Sequence, residues 1–244
     1  MRFLLALSFL TCIPVSLKRP MTEEDLGHAT RWFPLVGAVI GLILWCVFRI
    51  SSSVWGAYVA GASTLAVWAT LTRGLHLDGL ADTFDGLGGG VTKERALEIM
   101  KDSRIGTFGA VAIFCLLTLK LAVLSSMGPE LSEWIFVAPV LSRWSMVLAV
   151  AGFSTARKNG LGRRFKSYCG VTEMMFASSL ALVPVVAITG WMGLAVMGGA
   201  GLTMWSVGHR ISSFLGGLTG DSYGCICEVV ELFVLMSGTA VASL

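Results

Sequence analysis

Charged side chains are scarce in this sequence. Asp, Glu, Lys and Arg make up 14% of its 244 residues, whereas 55% are hydrophobic, and the mean hydropathy is +0.78. A water-soluble domain cannot bury so much apolar surface. The formal net charge is only +3 and the sequence has no concentrated basic patch on a soluble surface, which argues against nucleic acid as a partner. The composition therefore predicts an integral membrane protein.

Paired cysteine motifs are also absent. Of the six cysteines, Cys12, Cys46 and Cys115 lie inside apolar runs, Cys225 and Cys227 flank a single isoleucine, and no CxxC pair occurs. We therefore expect neither a disulfide framework nor a zinc site. Pro-rich linkers, low-complexity tails and repeats of fixed period are missing as well. This pattern favours a single integral membrane domain over residues 1–244.

Long apolar stretches are what the sequence has instead. At about 20 residues per crossing, they predict an all-α, polytopic membrane helical bundle of seven transmembrane segments. The N-terminal run 1–15 is either an eighth, short span or an interfacial helix. The seven predicted spans are 33–50, 54–71, 105–124, 134–153, 174–191, 192–215 and 226–244.

Basic residues concentrate in alternate segments between these spans. Fourteen of the eighteen lie in 18–31, 73–104 and 157–166 or at Arg210, whereas 125–133 contains no Lys or Arg. The positive-inside rule then places the basic segments in the cytoplasm and both termini outside. A re-entrant first segment would return the N-terminus to the cytoplasmic side.

Carboxylates crowd the segment 73–104, which we expect to be a cytoplasmic loop. Asp78, Asp82 and Asp85 stand at i, i+4 and i+7, so a helix would place all three on one face, where like charges repel. A Mg²⁺ ion would offset that repulsion, because it prefers carboxylate oxygens and also accepts waters and phosphate oxygens. The alternative is a solvated acidic loop, which the interleaved Leu, Phe and Ala residues disfavour. The predicted metal ligands are Asp78, Asp82, Asp85, Glu98 and Asp102.

A second acidic group lies near the C-terminus. Asp221 follows a Gly-rich approach that ends at Gly220, whose backbone N–H group is suited to an anion. Glu228 and Glu231 lie at the mouth of an apolar helix, where an ionisable residue faces a cavity and serves a function by default. The alternative is that both glutamates occupy interfacial first turns.

Several other polar residues are candidates for binding or proton transfer. Lys101, Arg104 and Arg157 lie in basic segments and would complement a phosphate-bearing substrate together with a metal ion. Arg143 lies inside a predicted span and needs a partner. His76 is a candidate proton acceptor.

Three segments resemble the signatures of one enzyme family. They read GLHLDGLADTFDG at 74–86, EIMKDSRIGTFG at 98–109 and LTGDSYGCICEVVE at 218–231. These segments are similar to those of the cobalamin synthase family, the adenosylcobinamide-GDP ribazoletransferases. The likeness extends to FLTCIP at 9–14 and FPLVG at 33–37. Cys225 departs from the small residue expected there, which concerns packing more than chemistry.

The resemblance implies a multi-pass enzyme of the bacterial inner membrane with its active site on the cytoplasmic face. It implies that the enzyme joins adenosylcobinamide-GDP to α-ribazole or its 5′-phosphate, with release of GMP and formation of adenosylcobalamin or its phosphate, and that Mg²⁺ is the cofactor. The two substrates and the lipid bilayer are the expected partners, with a homo-oligomer or an association with other corrinoid enzymes left open. The residues expected to act in catalysis are Asp82, Asp102, His76, Arg104, Lys101, Asp221 and Glu228, and those expected to bind substrate are Arg104, Lys101, Arg143, Arg157 and Gly220.

Two other functions compete with this interpretation. CDP-alcohol phosphotransferases and intramembrane prenyltransferases also hold Mg²⁺-bound diphosphates with aspartates, but their aspartate spacings differ from those found here. A small transporter with Glu228, Glu231 and Arg143 along its path would place its binding groups near the midplane, often across paired repeats. The acids of this chain gather at one surface instead.

Overall fold

The computed structural model describes residues 1–16 and 20–241, and every extended regular element within them is helical. The predicted all-α fold is therefore confirmed. The α-helices of the described residues are α1 Arg2–Leu10, α2 Glu23–Ala29, α3 Phe33–Trp55, α4 Ala57–Leu71, α5 Leu75–Gly89, α6 Lys93–Ile99, α7 Thr107–Ser126, α8 Glu133–Gly152, α9 Leu161–Tyr168, α10 Val171–Leu215 and α11 Gly220–Val241.

The long apolar helices are those of a membrane bundle. Within residues 1–16 and 20–241, five helical stretches are long and apolar enough to cross a membrane, and α4 is a shorter apolar helix. The five stretches are Glu23–Trp55, Thr107–Ser126, Pro129–Gly152, Val171–Leu215 and Gly220–Ala240.

The helix α10 is a hairpin of two arms, 171–189 and 191–215. The helical backbone is interrupted at Gly190, which has φ 61° and ψ −144°. Glycine adopts this conformation readily, whereas other residues rarely do. Trp144 of α8 contacts both arms, because its Nε1 donates to Ser178 Oγ at 2.9 Å and its ring lies 3.6 Å from a Cβ placed on Gly201. In a straight helix residues 178 and 201 would be about 35 Å apart. The break at residue 190 agrees with the boundary predicted there, and the number of membrane crossings stays a prediction.

The N-terminal helix α1 does not cross the bundle. Its nine residues span about 14 Å, less than half of a bilayer core. Arg2 at its start pairs with Glu24 of α2 at 3.1 Å, and Arg73 Nη2 donates to the carbonyls of Ser8 and Phe9 near its end. Both ends of α1 therefore lie at the face that carries 72–106, 154–170 and 216–219, here called the basic face. This position is the one expected for a re-entrant first segment.

The acidic segment 73–104 is not a loop. It folds into α5 and α6, and α5 packs between α11 and α7. The segment leaves α4 through Arg73 and Gly74, both with positive φ, so the chain turns sharply before α5 begins. The predicted loop is therefore wrong, because most of the segment is helical. The environment of each aspartate on α5 is set by the helices that pack against α5.

The outer surface of the bundle is apolar and aromatic. Phe114 and Leu202, in the middle of helices, are each 70% exposed, as expected for side chains in lipid. Trp55, Tyr58 and Trp191 are exposed beside the breaks at residues 56 and 190. Tryptophan and tyrosine favour the membrane–water interface. These three residues therefore mark the membrane surface opposite the basic face.

Four buried charges tie the centre of the bundle together. Lys120 of α7 donates to Glu228 at 2.6 Å and to Glu231 at 2.5 Å, both on α11. Arg143 of α8 pairs with the other oxygen of Glu231, and Lys120 lies 4.6 Å from the ring centroid of Trp68 on α4. Two cations thus neutralise two carboxylates, which removes most of the penalty of burying each charge alone.

Replacement of Lys120 by methionine should destabilise the protein by about 3 to 5 kcal/mol, because it leaves Glu228 and Glu231 with only Arg143 as a buried counter-charge. Thermal unfolding in detergent measures this effect. The double variant Lys120→Met, Glu228→Gln restores charge balance and should recover most of the lost melting temperature. If the double variant were no more stable than Lys120→Met, charge balance would not be what stabilises these buried residues.

Candidate active site

The helices α5 and α11 touch through their backbones on the basic face. A Cβ built on Gly79 would lie 2.6 Å from the carbonyl oxygen of Asp221, and one built on Gly224 would lie 3.2 Å from Cα of His76. A Cβ does not fit at residue 79, and one at residue 224 would require the neighbouring backbone to shift by a few tenths of an ångström, as in other glycine-mediated contacts of membrane helices. This approach brings the α5 aspartates beside Asp221, at the start of α11.

The carboxylates at this contact repel one another. Burial, together with the negative charges of Asp78, Asp221 and Asp85, raises the pKa of Asp82 to about 7, and Arg157 opposes this shift. A carboxyl group with such a pKa is suited to bind a cation or to exchange a proton near neutral pH. The structure therefore brings Asp221 to Asp78 and Asp82, from which it is distant in the sequence.

Arg157 is held at this acidic cluster by a short backbone bridge. Leu218 N donates to Ser154 O at 2.8 Å and Ala156 N donates to Leu218 O at 2.9 Å. Arg157 Nη1 then lies 3.4 Å from Asp221 Oδ2. Gly217, with φ 149°, makes the bridge fit, because a Cβ there would lie 2.6 Å from the carbonyl carbon of Thr155. The predicted role of Arg157 at a phosphate agrees with this position.

Asp85 has a different environment from the other two α5 aspartates. Its Oδ2 accepts from Gly106 N at 2.7 Å and its Oδ1 accepts from Gly109 N at 2.9 Å. A Cβ on either glycine would collide with the carboxylate. Asp85 therefore caps the start of α7 with one backbone hydrogen bond to each oxygen, and its metal role stays a prediction.

The other candidates from the acidic segment do not reach the cluster of Asp78, Asp82 and Asp221. Glu98 is exposed and pairs with Arg95 at 2.7 Å. Arg104 pairs with Asp102 at 2.6 Å, and this contact lowers the pKa of Asp102 to about 2. Lys101 is exposed. Glu98 and Asp102 repeat the spacing of the α5 aspartates, but each pairs with a nearby arginine. The metal-binding, catalytic and substrate-binding roles of Glu98, Lys101, Asp102 and Arg104 stay predictions.

Two predicted site residues belong to the buried network instead. Arg143 is fully buried against Glu231 and Ser142, and Glu228 is buried against Lys120. Neither residue lines the two cavities described next. The sequence analysis missed Lys120, although a lysine inside an apolar run carries the same signal of a buried partner as Arg143 does.

His76 links this network to the site. Its Nδ1 lies 3.3 Å from Arg143 Nη2, and burial together with the charge of Arg143 lowers its pKa to about 3. Because a guanidinium group only donates, Nδ1 is the acceptor and Nε2 carries the hydrogen. In this tautomer His76 is a hydrogen-bond donor at Nε2, in contrast to the proton acceptor predicted from the sequence.

Two cavities flank α5 at the acidic cluster. The first, of about 150 Å³, lies between α5, α8 and α11 and includes Asp78, Arg157, Gly220 and Asp221 in its lining. The second, of about 430 Å³, lies on the other side of α5 and includes Asp78 and Asp82. Asp78 borders both cavities. The arrangement can therefore bind two ligands on opposite sides of one row of carboxylates.

The acidic cluster fits a magnesium ion that shares its ligands with substrate. Among residues 1–16 and 20–241, no three side chains of the metal-binding types converge closely enough to enclose a metal ion by themselves. Mg²⁺ is commonly held by one or two carboxylates, waters and substrate phosphates. The negative charges of Asp78, Asp221 and Asp85 add to the effect of burial on Asp82, and a bound cation would offset both. Asp78, Asp82 and Asp221 are the residues suited to hold the ion.

Comparison with known proteins identifies one family. A family model described as cobalamin-5-phosphate synthase matches residues 2–239. An adenosylcobinamide-GDP ribazoletransferase of a Roseiflexus species is 41% identical over 96% of this chain and 87% of its own length. Proteins of the same name from Acetivibrio thermocellus and Syntrophobacter fumaroxidans are 36% and 39% identical, over 96% and 94% of both chains, respectively. No solved structure matches.

Replacement of Asp82 by asparagine should raise the melting temperature of the metal-free protein at pH 8. The carboxyl pKa is about 7 in the folded protein against an ordinary value of 3.8, so the folded state binds more protons between these values and loses stability as pH rises through them. Asparagine removes that loss, and its advantage should vanish near pH 4.

Thermal melts in detergent with chelator test this expectation. Asp102→Asn is the matched control, since its exposed partner is Arg104, and it should show no gain at pH 8. Equal melting temperatures of wild type and Asp82→Asn at pH 8 would show that the carboxylates do not repel one another.

Proposed function

The chain belongs to the cobalamin-5-phosphate synthase family, and on that premise we propose that it transfers adenosylcobinamide phosphate from adenosylcobinamide-GDP to α-ribazole or its 5′-phosphate. One observation carries the proposal. Asp78, Asp82 and Asp221 meet beside Arg157 between two cavities of the basic face. Acidic residues for a metal ion and an arginine for phosphate oxygens are what a pyrophosphate donor requires.

The reaction is a single displacement at phosphorus. A hydroxyl oxygen of ribazole forms a bond to the phosphorus attached to cobinamide, the bond from that phosphorus to the bridging oxygen breaks, and GMP leaves with the electron pair. We assign Asp221 as acceptor of the hydroxyl proton, because it borders the smaller cavity beside Arg157. Arg157 binds phosphate oxygens and orients the donor. No covalent intermediate on the protein is needed.

Asp78 and Asp82 are the proposed holders of Mg²⁺. They lie one helical turn apart on α5, and Asp78 borders both cavities. When bound, the ion would neutralise charge on the pyrophosphate as GMP departs. We further propose that the basic face is cytoplasmic in a bacterial inner membrane, because it carries most of the lysines and arginines.

The family relationship supports this function over the alternatives. The full-length relatives carry the ribazoletransferase name, which favours neither a CDP-alcohol phosphotransferase nor a prenyltransferase. A transporter path is also disfavoured, because the charges of its candidate residues Glu228, Glu231 and Arg143 are locked in ion pairs.

Purified protein in detergent or liposomes should release GMP from adenosylcobinamide-GDP when α-ribazole and Mg²⁺ are present. Chelator should stop the release, and mass spectrometry should identify the cobalamin product. Asp82→Asn should lose at least 100-fold in rate with wild-type folding, because it removes a metal-holding charge. GMP release unaffected by chelator would refute the metal role, and near-normal turnover of Asp82→Asn would refute its part in it.

Replacement of Gly79 by alanine should reduce turnover at least tenfold, because its Cβ would lie 2.6 Å from the backbone of Asp221 and force α5 from α11. A displacement of about 1 Å at reacting groups is enough for such a loss. The matched control is Gly198→Ala, where a Cβ meets no atom within 4 Å, and it should keep full activity. Equal rates for Gly79→Ala and Gly198→Ala would show that catalysis does not depend on the contact between α5 and α11.

A further inference from the structure

We propose that the 150 Å³ cavity between α5, α8 and α11 binds the heteroaromatic base of the acceptor nucleoside, with Tyr223 and His76 as residues that select it. This inference rests on the proposed function and deepens it. The cavity is roughly ten times the minimum that holds one water molecule. Aromatic side chains line one half of the cavity and polar side chains line the other. Both halves are suited to a heteroaromatic ring.

The aromatic half is built from three helices. Phe9 of α1, Phe33 of α3 and Phe165 of α9 all line the cavity. The ring of Phe165 stands edge-to-face to Phe9, with centroids 5.3 Å apart, and to Phe33, with centroids 5.8 Å apart. Met146 and Val150 of α8 add an apolar wall. A flat ring packs well against such surfaces, whereas a sugar or a phosphate gains little from them.

The polar half contains buried groups without protein partners. Tyr223 and His76 are each only 2% exposed, and both line the cavity. Among the residues that the structure describes, none is a hydrogen-bond partner of the Tyr223 hydroxyl group, of His76 Nε2 or of Arg157 Nε. Buried polar atoms are normally paired, so unpaired ones need an explanation. Three of them around one cavity indicate a polar ligand.

The hydrogen-bonding character of these groups narrows the ligand. Nε2 of His76 is a donor, because Nδ1 accepts from Arg143, and Nε of Arg157 only donates. The base of ribazole presents a ring nitrogen that accepts and has no N–H group of its own. Guanine, the base of the donor, also carries N–H groups, and the carboxylates that line the cavity, Asp78 and Asp221, are assigned above to Mg²⁺ and to the hydroxyl proton of the acceptor. The free groups of the cavity therefore favour the acceptor nucleoside over GMP.

The position of the carboxylates agrees with this assignment. Asp78 and Asp221 border the same cavity as the three phenylalanines. A base lodged among the rings would direct its ribose hydroxyl groups toward Asp221 and Arg157, where the proposed transfer takes place. The cavity is too small for a corrinoid ring, so the donor approaches from outside or from the 430 Å³ cavity beyond Asp78.

Val150→Phe fills the apolar wall and tests the proposal by steady-state kinetics. The KM for α-ribazole should rise at least tenfold, while the KM for adenosylcobinamide-GDP stays within twofold. The matched control is Val183→Phe, because Val183 is 69% exposed on the outside of α10, and both KM values should stay at wild-type level. A rise in the donor KM alone would assign the cavity to guanosine, and unchanged KM values would show that neither base enters it. Both results overturn the proposal.

Tyr223→Phe removes one oxygen atom and keeps the ring, so it serves if Val150→Phe does not fold. Equilibrium dialysis of α-ribazole against the full protein, with no donor present, should show at least fivefold weaker binding to this variant. Unchanged binding would overturn the selecting role of Tyr223. Dialysis also separates the two proposals: wild-type protein that binds α-ribazole but releases no GMP refutes the proposed function alone, whereas GMP release with unchanged acceptor binding in Tyr223→Phe refutes this inference alone.

Discussion

The contact between Gly79 and the first turn of α11 is the constraint on which the site depends. A carboxylate cluster forms there because two helices approach to backbone distance, which only glycine allows at residue 79. The same approach seats His76 against Arg143. The contact therefore connects the carboxylate cluster on the basic face with the buried ion pairs inside the bundle.

The interior charges explain how a short helix such as α5 is held at the membrane surface. Lys120 and Arg143 fix Glu228 and Glu231 of α11 from two neighbouring helices. With α11 held on two sides, its first turn becomes a rigid platform for α5. The backbone bridge between Ser154 and Leu218 then positions Arg157 on that platform. Stability and site geometry thus share one set of contacts.

Much of the fold could be predicted from the sequence, because hydropathy and glycine act locally. The spans and the break near residue 190 follow from apolar runs, and the need of Arg143 for a partner follows from its place within one. The sequence could not show which face of a helix meets a neighbour. Glu98 and Asp102 share the helical spacing of Asp78 and Asp82, yet face solvent. Gly79 was the sequence signal for the face of α5 that meets α11, since a small residue on a polar helix marks close packing.

The neutrality of the buried network has an electrical consequence. Membrane voltage does work only on charge that moves through the bilayer. The four interior charges sum to zero and are joined by direct ion pairs, and the acidic cluster lies at one surface. Neither set crosses the field during a displacement reaction at phosphorus. A membrane potential would therefore do no work on these charges.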